Sequence, residues 1–208
     1  MNATKRAEIR ERINRSFGTA RPHSPRVSPD GSRVAWIEER GGAENVVVRR
    51  LRGGPIQQIT ATEKDVTAFS WSPDGRAIAY LTEHSLRIAR LRGGDRLLLT
   101  HPADIDLPRW SPDGAHIGII SRSRGWGQVV LVPSSLRKPL TQVPPALTPV
   151  GVDVLSYDWN ASGRRIVYEG THPGSDGNHV QLAIIDLDSA ESPGTIAGRS
   201  SWVAGGRW

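Results

Sequence analysis

A five-residue motif recurs along the chain and limits the folds that it can adopt. Val27-Ser-Pro-Asp-Gly31, Trp71-Ser-Pro-Asp-Gly75 and Trp110-Ser-Pro-Asp-Gly114 are near-identical, and a degenerate copy follows at Trp159-Asn-Ala-Ser-Gly163. The sequence ends on Trp208, the first letter of a further copy. Successive copies begin 44, 39, 49 and 49 residues apart. This period is typical of one four-stranded blade of a β-propeller.

Each copy of the motif predicts a type I turn followed by a strand. Serine at the first position of the turn can hydrogen-bond its own backbone, and proline at the second presets φ. Aspartate is accepted at the third position, and glycine is favoured at the fourth, where the chain leaves the turn. Large apolar residues stand three and five positions after each glycine, with a smaller residue between them, which is the period of a strand apolar on both faces. These triplets are Val34-Ala35-Trp36, Ile78-Ala79-Tyr80, Ile117-Gly118-Ile119 and Ile166-Val167-Tyr168.

The remainder of each repeat predicts two more strands and their turns. Paired glycines in Leu51-Arg-Gly-Gly54 and Leu91-Arg-Gly-Gly94 mark hairpins after the apolar stretches 46–48 and 86–88. The expected fourth strands end in Ile59-Thr60, Leu99-Thr100 and Leu140-Thr141. The proline-rich segment 142–151 cannot pair as a central strand. This segment and the polar loop 170–178 are the expected places for variable contacts.

The segment before the first motif has a helical pattern. Ile9, Ile13 and Phe17 recur at i, i+4 and i+8, and Glu8 and Arg12 form a favourable i, i+4 pair. We expect residues 1–20 to form a short helical arm docked on the propeller rim. A nucleic-acid or membrane anchor is the alternative, whereas a transit peptide is disfavoured because such peptides are poor in acidic residues.

The charge balance argues against a nucleic-acid partner. The formal charge is +6, but residues 1–26 hold seven basic and two acidic groups, and the other 182 residues hold twenty basic and nineteen acidic groups. The body of the chain is therefore near neutral. No apolar run approaches the roughly 18 residues of a membrane span. We expect neither a nucleic-acid nor a membrane partner.

Cysteine is absent from the sequence, and this excludes several classes of chemistry. Disulfides, thiolate zinc sites and a cysteine nucleophile all require it. No apolar segment of the kind found in secretory signals follows the first residues, so we expect a cytoplasmic protein.

With these motifs established, the chain resembles the propeller domain of prolyl oligopeptidase family serine peptidases, in their bacterial dipeptidyl-peptidase and acylaminoacyl-peptidase branch. The stretches 24–36 and 69–80, each containing Ser-Pro-Asp-Gly and its strand, carry the resemblance. TolB proteins use similar repeats. The resemblance implies seven or eight blades and a following α/β-hydrolase domain with a catalytic serine, aspartate and histidine.

The expected organisation is an incomplete, all-β propeller. It comprises the arm at 1–20 and a propeller segment at 21–208, with blades at about 21–61, 65–101, 104–142 and 152–198 and a fifth starting at 202–208. Since a propeller must close on itself, we expect this chain to be the N-terminal part of a longer protein. Ser-Pro-Asp-Gly or a close variant is expected after Trp208.

The sequence contains no Gly-x-Ser-x-Gly, so a family nucleophile cannot be placed. His172, Ser175, Asp176 and His179 are grouped in one loop, but a glycine-rich loop supports a catalytic triad poorly. The spacing of the two histidines matches no metal-binding pattern. We interpret this group as an ordinary polar loop.

Other candidate residues also receive structural interpretations. The pair Glu38 and Glu39 could hold an amine by charge pairing, as glutamate pairs do in dipeptidyl peptidases, but a solvated strand end facing Arg40 is favoured. The aspartates are interpreted as solvated faces and the motif tryptophans as packing residues. These are Asp104, Asp106, Asp186 and Asp188, with Trp71, Trp110, Trp159 and Trp208. No catalytic, cofactor-binding or metal-binding residue is assigned, and no cofactor is expected.

The resemblance implies that this segment gates substrate access in a serine peptidase that hydrolyses short peptides, while the segment itself is non-catalytic. The short peptide substrate would then be bound through a hydrolase domain outside these 208 residues. The alternative is a non-catalytic TolB-like propeller that acts as a protein-interaction module. The sequence leaves open whether the chain binds protein partners or forms a homo-oligomer.

Overall fold

The computed structural model describes residues 22–101, 104–172, 180–189 and 194–198. All regular structure in these ranges is β, with fifteen strands in four sheets whose strands pair antiparallel. The predicted all-β propeller fold is confirmed, whereas the predicted helical arm lies outside the described ranges. Within those ranges no helix long and apolar enough to cross a membrane occurs.

The chain divides into two compact units, Met1–Val66 and Thr67–Trp208. The described part of the first unit is one sheet in which four strands follow chain order. Gly41 and Gly42 have φ angles of 68° and 89°, which a two-residue hairpin requires and which glycine adopts without steric cost. The strands are β1 (His23–Val27), β2 (Arg33–Arg40), β3 (Ala43–Arg50) and β4 (Gln57–Gln58).

The second unit contains three sheets that also follow chain order, so that the first strand of each sheet is an edge strand. Its first sheet comprises β5 (Ala68–Trp71), β6 (Ala77–Thr82), β7 (Ser85–Arg90) and β8 (Asp95–Thr100). The next comprises β9 (Ile105–Trp110), β10 (His116–Ser121) and β11 (Gln128–Pro133). The last comprises β12 (Asp153–Trp159), β13 (Arg165–Thr171), β14 (Val180–Asp186) and β15 (Gly194–Gly198).

The Ser-Pro-Asp-Gly turns form as predicted because each serine and aspartate hydrogen-bond within the turn. Ser28 Oγ donates to Asp30 Oδ1 at 2.6 Å, and Asp30 Oδ1 also accepts from the Ser32 backbone N–H at 3.0 Å. The same serine bond is 2.7 Å to Asp74 and 2.5 Å to Asp113. These bonds, the one from serine foremost, lower the pKa of Asp30 to about 2 and lower the pKa of Asp74 and Asp113.

Apolar residues on both faces of the motif strands build the core of the second unit. In β10, Ile117 and Ile119 pack into a cluster with the sheet before them, while Ile120 packs into a cluster with the sheet after them. The alternation follows from the period of two in a strand. Tyr157 and Tyr168 are almost fully buried in the second cluster. The predicted strand with apolar residues on both faces is therefore confirmed for β10, which packs between two sheets of this unit.

The predicted fourth strand at Leu140-Thr141 is wrong. Leu140 instead forms a parallel bridge to Leu99 in the preceding sheet, with hydrogen bonds on both sides, and the sheet of β9 to β11 has three strands. Ala146 forms an isolated bridge to Val130. Prolines at 139, 144 and 145 lack the backbone donors that a continuous strand needs. In the first sheet, the strand is Gln57–Gln58, slightly before the predicted Ile59-Thr60.

Candidate functional site

The residue immediately before the motif tryptophan is polar in each sheet of the second unit. Ser70, Arg109 and Asp158 occupy this position in β5, β9 and β12. Each of these strands is the edge strand of its sheet. Arg109 Nη1 lies 3.4 Å from Asp158 Oδ1, so the side chains of two successive sheets meet here. We call Ser70, Arg109, Asp158 and the tryptophans Trp110 and Trp159 the first-strand cluster, a set defined by its place in the first strands.

Arg109 is held by an aromatic ring as well as by a carboxylate. Its guanidinium carbon lies 5.9 Å from the centroid of the Tyr157 ring, which is within the range of a cation–π interaction. Tyr157 donates its hydroxyl hydrogen to the Leu107 carbonyl oxygen at 2.9 Å. Burial raises the pKa of Tyr157, so this ring stays neutral and its hydroxyl remains a donor.

The first-strand cluster contains several unsatisfied hydrogen-bonding atoms. In the described part of the chain, the buried side-chain atoms without a hydrogen-bond partner are Ser70 Oγ, Arg109 Nε, Trp110 Nε1 and Trp159 Nε1. Such atoms are rare in folded proteins. Three of the four can only donate. These atoms are buried in separate side chains, and Arg109 and Asp158 form the contact that joins two members of the cluster. The described members of the cluster contain no pairing of a nucleophile with a base.

A second polar group, formed by Tyr80, Arg87 and Asp95, is fully paired. The Tyr80 hydroxyl lies 2.5 Å from Asp95 Oδ2, and Arg87 Nε lies 3.0 Å from that hydroxyl and 2.7 Å from Asp95 Oδ1. Burial, followed by the hydrogen bond to Asp95, raises the pKa of Tyr80. A neutral tyrosine with an occupied hydroxyl cannot serve as a base. Because the three side chains belong to β6, β7 and β8, their hydrogen bonds link these strands.

The interpretation of Glu38 as a solvated strand end is wrong. Its side chain is only 6% exposed, and it accepts hydrogen bonds from Trp36 Nε1 at 2.7 Å and Arg40 Nε at 2.6 Å. A carboxylate can be buried here because both oxygens have donors. Glu39 is exposed. The two glutamates therefore do not form a joint amine site.

The other predicted side chains are dispersed. Asp186 and Asp188 form ion pairs of 2.9 Å with Arg165 and Arg164, and the bonds from the Asp188 backbone and Arg165 lower the pKa of Asp186. Asp104 and Asp106 are exposed. In the ranges that the structure describes, no three His, Cys, Asp or Glu side chains group as metal ligands.

Parts of the predicted candidate sets fall outside the described ranges. His172 is described, whereas Ser175, Asp176, His179 and Trp208 are not. Of the other motif tryptophans, Trp71 and Trp159 are 8% and 6% exposed, as packing residues are expected to be.

The first-strand cluster was missed from the sequence because its members are far apart along the chain. Arg109 and Asp158 are separated by 49 residues, and their position carries a different residue type in each repeat. The sequence signal that could have revealed the cluster is the position of these residues in the repeat. When the motif copies are aligned, a polar residue stands directly before Trp71, Trp110 and Trp159.

Sheets of up to four antiparallel strands, with a Ser-Pro-Asp-Gly-type turn after each first strand, define a β-propeller domain. Residues 12–194 match the family model PD40, described as the TolB beta propeller domain. The chain belongs to this family.

Comparisons with individual proteins agree with the family. The chain is 28% identical over 179 residues to "Uncharacterized peptidase YuxL" of Bacillus subtilis, a match that covers 80% of this chain and 25% of YuxL. It is 42% identical over 59 residues to "Tricorn protease homolog 1" of Streptomyces coelicolor, covering 28% of this chain and 6% of that protein. The predicted resemblance to peptidases is confirmed, and the chain spans at most about a quarter of these relatives.

The fold also has a close counterpart among solved structures. A putative TolB from Agrobacterium tumefaciens superposes with a TM-score of 0.67 at 21% identity, over 88% of this chain and 68% of that one. At this identity the likeness establishes a shared β-propeller fold.

Proposed function

We propose that this chain is the substrate-access propeller of a serine peptidase that hydrolyses short peptides, and that it is not itself catalytic. The observation that carries the proposal is the match to YuxL, which covers 80% of this chain but only 25% of a relative named as a peptidase. The chain thus corresponds to about a quarter of YuxL, and we propose that its parent protein likewise has a catalytic domain in the remaining length.

The proposal rests on this comparison, because the described side chains form no open binding site that would support it further. The unsatisfied donors of the first-strand cluster, Arg109 Nε and the indole nitrogens of Trp110 and Trp159, are buried. The polar side chains around Glu38 hydrogen-bond among themselves, and so do those around Tyr80. On this proposal, catalysis takes place in the hydrolase domain and the propeller restricts which peptides reach it.

The experiment compares the 208-residue chain with the protein that its complete gene encodes. Both are assayed on a chromogenic aminoacyl substrate and on a series of unstructured peptides of increasing length. We expect the longer protein to hydrolyse short substrates, to lose kcat/KM steeply as peptides lengthen, and to be inactivated by a serine-directed phosphonate. The 208-residue chain should show no turnover.

Two outcomes would contradict the proposal. Turnover by the 208-residue chain would place catalysis within it, and His172→Ala would then test the polar loop directly. A complete gene that encodes further blades but no Gly-x-Ser-x-Gly segment would instead favour the second candidate function, a non-catalytic interaction module. Membership of the TolB propeller family is consistent with both candidates, because propellers serve many functions.

A further inference from the structure

The two ends of the sheets carry opposite charge. We call the end with the Ser-Pro-Asp-Gly turns and the hairpins between third and fourth strands the turn end. The opposite end, with the hairpins between second and third strands and the connections to the next sheet, is the hairpin end. In the second unit, Cβ atoms placed on Gly114 and Gly163 would lie 3.9 Å from Pro73 and 3.4 Å from Pro112. The turns of successive sheets therefore lie side by side at one end.

The first unit shows the separation of charge most clearly. Among its described residues, the turn end holds five arginines and one aspartate, whereas the hairpin end holds five carboxylates and two cations. At the turn end these are Arg26, Arg33, Arg49, Arg50, Arg52 and Asp30. At the hairpin end they are Glu38, Glu39, Glu44, Glu63, Asp65, Arg40 and Lys64.

The second unit, considered by itself, repeats the pattern. Within its described ranges, the turn end holds nine cations and six aspartates, and the hairpin end holds five carboxylates and two arginines. The turn-end groups are Arg76, Arg90, Arg92, Arg96, Arg109, Arg137, Lys138, Arg164 and Arg165, with Asp74, Asp95, Asp113, Asp158, Asp186 and Asp188. The hairpin-end groups are Glu83, Asp104, Asp106, Asp153, Glu169, Arg122 and Arg124.

At the turn end of the first unit, some arginine charges are not paired with a described residue. Arg50 lies directly opposite Arg33 in the register of β2 and β3, and like charges in this position destabilise a sheet. Arg50 and Arg52 are exposed and make no side-chain hydrogen bond or ion pair with a described residue. Asp30 is the one described carboxylate at this end, and it lies 3.8 Å from Arg33, so it is engaged with a different arginine.

The same arrangement recurs in the next repeat. Arg90 and Arg92 flank Leu91 as Arg50 and Arg52 flank Leu51, and both are exposed without a side-chain partner among the described residues. Two copies of an Arg-Leu-Arg hairpin therefore present unpaired guanidinium groups at the turn ends of both units.

Apolar side chains accompany these arginines in the first unit. Val27, Leu51 and Ile56 are 57%, 56% and 42% exposed, and all lie at the turn end. In contrast, the large aromatic side chain that is exposed in the described ranges, Trp126 at 37%, lies at a hairpin end. Arginine is enriched in protein interfaces, whereas single-stranded nucleic acid is bound by basic residues with aromatic stacking platforms.

We propose that the turn end of the first unit is a docking surface for an acidic protein segment, one that combines clustered Asp or Glu carboxylates with aliphatic side chains. The guanidinium groups of Arg50 and Arg52 pair with the carboxylates, since arginine can bind them through two parallel hydrogen bonds. The aliphatic side chains cover Leu51 and Ile56. This proposal does not depend on the parent protein being a peptidase.

The test measures binding of a fluorescein-labelled peptide, composed of glutamates with interspersed leucines, by fluorescence anisotropy at about 50 mM salt. The 208-residue chain is compared with R50Q/R52Q. We expect this double variant to bind about fivefold more weakly, which corresponds to a total of about 1 kcal/mol for the two lost ion pairs. Binding by the unaltered chain should weaken as salt is raised.

The matched control is K64Q/R124Q, which removes the same number of charges from the hairpin ends. It should bind within about twofold of the unaltered chain, and circular dichroism should show that all variants keep the β fold. An equal loss of peptide affinity in the control would show that binding depends only on the net charge of the chain, and this would overturn the proposal. So would tighter binding of a DNA duplex than of the peptide, because this would make the turn end a nucleic-acid surface.

Discussion

Gly118 shows at the scale of single residues how closely successive sheets pack. A Cβ placed on Gly118 would lie 2.6 Å from the hydroxyl oxygen of Tyr157 and 2.9 Å from its Cε2. Tyr157 is 1% exposed and bonded to the Leu107 carbonyl, so it cannot move aside. The motif pattern predicts a small residue between Ile117 and Ile119, but only the structure shows the ring that makes glycine necessary.

Gly118→Ala is therefore expected to destabilise the chain. Forcing one methyl group against a buried ring costs about 1–3 kcal/mol of unfolding free energy, which urea denaturation followed by tryptophan fluorescence would measure. Gly194→Ala is the control, since a Cβ there meets nothing within 4 Å, and its effect should stay within about 0.5 kcal/mol. Equal stability of Gly118→Ala and the unaltered chain would show that the sheets are packed less tightly than the structure indicates.

At the scale of elements, the sequence predicts what local chemistry decides and misses what depends on distant partners. The turn at Ser111 and Asp113 forms from bonds within five residues, and the strand after it follows from the alternation around Gly118. Leu140 looks like the end of a strand, yet its backbone pairs with Leu99 of another sheet. The contact of Arg109 with Asp158 was equally invisible, because it joins residues from different repeats.

The turn aspartates should make stability fall in acid. The pKa of Asp30 is about 2 in the folded chain, below the value of about 3.9 expected when unfolded. Its stabilising contribution is therefore complete above about pH 4 and is lost as the pH falls through about 2. The lowered pKa values of Asp74 and Asp113 act in the same direction. Urea midpoints measured between these pH values should decrease steadily.

Replacing Asp30, Asp74 and Asp113 by asparagine should lower stability at neutral pH and flatten the acid dependence, since the amide does not titrate. Asp104→Asn combined with Asp106→Asn removes two exposed carboxylates outside the turns and should keep the slope of the unaltered chain. If the triple variant retained that slope, other carboxylates would have to account for acid unfolding.

At the scale of the whole molecule, antiparallel pairing sorts charges that look evenly mixed along the chain. The twenty basic and nineteen acidic groups after residue 26 almost cancel in sequence. Each strand reverses direction, so residues on either side of a turn, such as Arg33 and Arg50, come together at one end of the sheet. The near-neutral sum hid this separation, which becomes visible only when residues are assigned to strand ends.

Gathering like charges at each end should make thermal stability depend on salt. Screening weakens repulsion between exposed charges, since the Debye length falls from about 30 Å at 0.01 M to about 3 Å at 1 M salt. Removing turn-end charges in R50Q/R90Q should reduce the rise in Tm with sodium chloride by about 1–2 °C, because each relieved repulsion amounts to a few tenths of a kcal/mol. K64Q/R124Q removes cations from the acidic hairpin ends and should enlarge the rise. Differential scanning calorimetry at several salt concentrations separates the two effects, and identical salt responses in both variants would show that the ends do not repel themselves measurably.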